Sequence, residues 1–80
     1  IGETTSMSFD KASGLLVVKY DEDVKSALYM LSTYVESGVT ITKGRMVIDT
    51  KALTKGAEYT IYLERRDVEQ KSIVFTLKEL

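Results

Sequence analysis

The stretch Tyr59-Thr60-Ile61-Tyr62-Leu63-Glu64 decides the fold. Its large residues Tyr59, Ile61 and Leu63 alternate with Thr60, Tyr62 and Glu64, the period of two expected of a strand with one buried face. Farther on, Ser72-Ile73-Val74-Phe75-Thr76-Leu77 repeats the pattern, with Ile73, Phe75 and Leu77 on its apolar side. Between them the polar run from Arg65 to Lys71, with Arg65, Arg66, Asp67 and Glu69, reads as a soluble hairpin loop.

Working back from that stretch, the same rhythm recurs in short runs. Thr5-Ser6-Met7-Ser8-Phe9 alternates small polar with large apolar residues, Lys11-Ala12-Ser13-Gly14 is a turn, and Leu15 to Tyr20 is β-branched and aromatic enough for a strand. Val39 to Thr42 and Arg45 to Asp49 are two more, separated by Lys43-Gly44. With Ala27 to Tyr34 counted as a strand there are seven. Seven short strands with frequent turn signals predict a single all-β domain over 1–80, a small β-sandwich. The chain has no Pro, so its edge strands need protection by charge.

One stretch admits a second reading. Val24, Leu28, Leu31 and Val35 stand at helical spacing, Asp23 is suited to cap a helix, and Gly38 lies where a helix C-terminal Gly would. A helix over 23–37 would make the fold α+β and similar to the β-grasp. Tyr29, Ser32, Thr33 and Tyr34 oppose it, because those residue types favour strands.

Composition limits what such a domain can do. The 80 residues are 44% hydrophobic and 29% charged, enough for a core and too apolar for a disordered tail. The net charge is -1, so no long-range field draws the chain to phosphate backbones, and nucleic acid is not an expected partner. Residues 1–40 carry three basic against six acidic residues and residues 41–80 eight against six, too mild an asymmetry for a basic tail. There is no Cys and no His, which removes disulfides, thiolate nucleophiles and the usual zinc constellations. No apolar run reaches membrane-spanning length, so membrane insertion is not expected. Without an activating base for Ser or Thr, and in a domain too small for a large cleft, no catalysis and no cofactor are expected. The opening Ile1-Gly2-Glu3-Thr4-Thr5 is not a signal region, and the chain reads as a module of a longer protein.

The segment Leu53-Thr54-Lys55-Gly56-Ala57-Glu58-Tyr59, continued through Leu63, resembles the corner between the fifth and sixth strands of immunoglobulin-like and fibronectin type III modules. There a Leu is followed three residues later by Gly and six residues later by Tyr. The resemblance implies that Leu53 plugs the core, Gly56 allows a tight reversal, and Tyr59 buries its ring while its hydroxyl bonds to upstream backbone. It also implies an exported bacterial or phage context, at the cell surface or outside the cell, where such modules are spacers or adhesive units between other domains. The chain departs from the pattern in having no Trp for the third strand and no Cys pair, so the resemblance extends to the broad class alone.

Two groups of residues are candidate sites. Tyr62 falls on the side of its strand opposite the core, and Tyr29 and Tyr34 join it if their strand is its neighbour; such a row suits a glycan or protein ligand, or simply strengthens cross-strand pairing. Asp21-Glu22-Asp23, with Asp10, offers oxygen ligands to calcium, but no recognised ligand spacing is present and a solvated turn accounts for the run.

Overall fold

The computed structural model describes residues 5–64 and 71–76. The strands are β1 (Ser6–Asp10), β2 (Leu15–Lys19), β3 (Lys25–Met30), β4 (Thr33–Val35), β5 (Val39–Thr42), β6 (Arg45–Asp49), β7 (Glu58–Glu64) and β8 (Lys71–Thr76). The predicted hairpin loop over 65–70 and the strand end at Leu77 lie outside the described residues.

All pairing is antiparallel, in two four-stranded sheets of order β1-β2-β6-β5 and β4-β3-β7-β8. Alternation orients each strand. Leu16 and Val18 of β2 and Met46 and Ile48 of β6 turn inward from the first sheet, and Leu28, Tyr59, Ile61 and Leu63 from the second, to form one buried core. Tyr20 and Val24 close it on the segment that crosses between the sheets. Met7 on β1 pairs with Val18, and Ile41 on β5 pairs with Met46, so both share the inward side. Their exposures of 40% and 41% reflect their place on edge strands, where the opposite layer covers less.

The predicted all-β class holds, with two corrections. The run from Ala27 to Tyr34 is two strands, because the chain reverses at Leu31-Ser32, where Leu31 takes φ 57, so the described residues form eight strands where seven were expected. The alternative helix over 23–37 does not form. Leu28 faces the core, whereas Leu31, which a helical stripe would bury, is 84% exposed. β-forming residues next to a partner strand won over the helical spacing of four apolar positions. A short 3-10 turn, Thr50–Ala52, follows β6, with the Asp49 carboxylate accepting the Lys51 backbone N–H at 3.1 Å.

Pairing also gives the molecule two ends. Ser6 stands beside Lys19, and the Tyr20 N–H donates to the Gly44 carbonyl, so β1 starts at the end that carries the Lys43-Gly44 turn. Gly44 has φ +74, and a Cβ there would come within 2.9 Å of the Tyr20 carbonyl oxygen, so the turn needs Gly on both counts. Thr76, the last residue of β8, pairs with Glu58 at the opposite end, near Tyr59 and the Leu31 turn.

Candidate functional site

Strand alternation that sends Leu28 and Ile61 inward sends Tyr29 and Tyr62 out. On β4, Tyr34 stands directly opposite Tyr29, while Tyr62 on β7 pairs with Ala27 and lies diagonal to Tyr29, which itself pairs with Thr60. The three predicted tyrosines therefore meet on one outer sheet face. The Tyr29 and Tyr34 rings have centroids 5.7 Å apart at 67°, and the Tyr29 and Tyr62 rings 5.1 Å apart at 89°. Both are edge-to-face contacts, each worth about 0.5–1.5 kcal/mol beyond buried area.

Two shallow hollows flank the Tyr29 and Tyr62 rings. One, about 350 Å³, is lined by Tyr29, Leu31, Ser32 and Tyr62; the other, about 110 Å³, by Tyr29 and Tyr62 with Lys25, Ser26, Ala27 and Glu64. Lys25 and Glu64 are exposed cross-strand partners at the end of the row away from Leu31. Among the described side chains the face thus offers phenol rings, hydroxyls, the apolar knob of Leu31, the Lys25 and Glu64 pair and the exposed Glu58 carboxylate, which are means of non-covalent contact.

Leu31 is the residue that sequence reasoning missed. It is a large apolar side chain left 84% exposed, on a backbone conformation that costs a non-glycine residue roughly 1–2 kcal/mol. Neither Gly, Asn nor Asp marks the turn, and Ser32 is only a weak turn signal, so nothing local singles out Leu31 for a positive φ.

The acidic candidates are set apart. Asp10 lies at the opposite end of β2 from Asp21 and Asp23, and its carboxylate is engaged in its own turn: Oδ1 accepts the Ala12 N–H at 3.1 Å and Oδ2 the Ser13 hydroxyl at 3.0 Å. Asp21 instead shapes the crossing segment, its backbone carbonyl accepting the Val24 N–H at 3.0 Å. Among the described residues no three His, Cys, Asp or Glu side chains converge as a metal would need.

The segment between β6 and β7 is built around Tyr59. Its ring is 2% exposed, and its hydroxyl accepts the backbone N–H of Thr54 at 2.9 Å. Leu53 packs against the core, and Gly56 takes φ +83 with open space around it, so the backbone angle alone calls for glycine there. A second tyrosine hydroxyl, that of Tyr20 on the crossing segment, hydrogen-bonds Ser26 of β3. Comparison with family models, with curated proteins and with solved structures finds no match to this chain.

Proposed function

We propose that this chain is a non-catalytic immunoglobulin-like module, a structural or adhesive unit of a larger exported bacterial or phage protein. The observation that carries the reading is the bond from the Thr54 N–H to the buried Tyr59 hydroxyl at the β6–β7 connection. A tyrosine early in the sixth strand of an immunoglobulin sandwich, bonded to backbone a few residues upstream, has this form. The strand order supports it: with β4 taken as an extra strand beside the third, β1-β2-β6-β5 and β4-β3-β7-β8 follow the two-sheet order of that class. A spacer also gains from β1 starting and β8 finishing at opposite ends, since load then runs along the strands.

Pulling on the domain between its two ends tests this. A load-bearing module should give way in one cooperative event, lengthening by about 20 nm, the extended reach of roughly 70 residues less the folded span. Gradual lengthening without a rupture would defeat the reading. The carbohydrate-binding alternative is less favoured by the geometry, because the tyrosine rings pack edge to face on one another and do not form a flat platform for a sugar ring. A glycan that binds wild type and is lost in Tyr62→Ala would reverse that preference.

A further inference from the structure

We propose that the outer face of the β4-β3-β7-β8 sheet is a self-association surface, on which a second copy of this chain docks face to face about a two-fold axis lying along the strands between β3 and β7. Such an axis sets each residue of β3 over the position of its β7 partner in the other copy. Between β3 and β7, the two strands that flank the axis, the outward cross-strand pairs are Lys25 with Glu64, Ala27 with Tyr62, and Tyr29 with Thr60. Every pair joins opposite charges or a large residue with a small one, so the two-fold brings cation over anion and ring over gap. Hollows already lie beside the Tyr29 and Tyr62 rings, where the opposing side chains would enter.

Charge decides the orientation. A two-fold across the strands would also set large over small, but it would place Glu64 over Glu58 of the second copy, both exposed carboxylates. On the other sheet the same two-fold along the strands would set Lys19 over Arg45 of the second copy, two charges of one sign, so that face does not suit this docking. Strands about 4.8 Å apart, with β4 three residues long, β3 and β8 six and β7 seven, at about 3.4 Å per residue, give roughly 360 Å² of face per copy. Twice that area is less than a stable dimer buries, so the dimer is weak and transient, with a dissociation constant on the order of 100 μM.

The test is sedimentation equilibrium on the 80-residue chain with three charge variants, each verified by circular dichroism to keep its β spectrum. Wild type should dimerise. Lys25→Glu and Glu64→Lys should each weaken this by about tenfold or more, because like charges then face one another across the axis. Mixed together, these two variants should associate with each other, since one supplies two carboxylates and the other two ammonium groups. Arg45→Glu, on the other sheet, changes net charge as Lys25→Glu does and should leave association unaltered. A wild type that stays monomeric at about 2 mM, far above the expected dissociation constant, overturns the proposal. So does a mixture that associates no better than its components, or an Arg45→Glu variant as impaired as Lys25→Glu. Amide shifts on dilution should centre on Lys25, Ala27, Tyr29, Thr60, Tyr62 and Glu64; shifts confined to an edge strand would instead indicate edge pairing and defeat the face.

Discussion

The two sheets are alike inside and different outside. Inward, among the described residues, the buried side chains on strands are Leu16, Val18, Met46 and Ile48 from one sheet and Leu28, Tyr59, Ile61 and Leu63 from the other. Outward, the middle row of the first sheet reads Ser8, Val17, Val47 and Thr40 across its four strands, while the corresponding row of the second begins Tyr34, Tyr29 and Thr60. Small and β-branched residues suffice to cover a solvated face, as the first sheet shows. Three tyrosines on the second exceed that need, and part of the excess is structural, because β4 has three residues and Tyr34 helps hold it to β3 through its contact with Tyr29. The remainder, with the protruding Leu31, belongs to the proposed docking face.

The inner equivalence is the part easiest to break. Ile48→Ala and Ile61→Ala each remove a fully buried side chain from the centre of one sheet and should cost about 2–5 kcal/mol. Urea melts check this; a loss below about 1 kcal/mol for either would mean that its sheet does not carry half of the core.

The tyrosines sharpen the inside-outside contrast at equal chemistry. Tyr59→Phe deletes the acceptor of the Thr54 N–H and should cost about 1–2 kcal/mol, whereas Tyr62→Phe, on the outer face, should change stability by less than about 0.5 kcal/mol. Equal costs in paired urea melts would dissolve the assignment of faces along β7. A smaller effect of opposite sign is expected at the turn. Leu31→Gly relieves the positive φ at some cost in unfolded-state entropy, so stability should stay level or rise by about 0.5 kcal/mol. A clear loss in thermal melts would show that the exposed Leu31 side chain supports the fold, which would remove the case for it as a contact residue.

Much of the fold was legible because the deciding signals are local. Alternation in β7 depends only on which neighbours are apolar, the apolar, β-branched runs of β2 and β6 mark strands by composition, and Leu53, Gly56 and Tyr59 lie within seven consecutive positions. The reversal at Leu31-Ser32 was illegible, since a residue without a turn preference was placed there by the pairing of β4 with β3 and by the contact of Tyr34 with Tyr29. Asp10 shows the same limit: as sequence it is one more carboxylate near an acidic run, and the strand between them separates the two by about 17 Å.

From the sequence alone came the β class, the side of β7 that meets the core, and the expectation that Tyr59 and Tyr62 point opposite ways, because alternation is a property of a single extended chain. Which strands become neighbours is a property of the packed molecule. Only the tertiary structure set β3 between β4 and β7, and so gathered Tyr29, Tyr34 and Tyr62 with the Lys25 and Glu64 pair on one face. The two-residue reversal and the register of three strands created that face, and no local stretch encodes either.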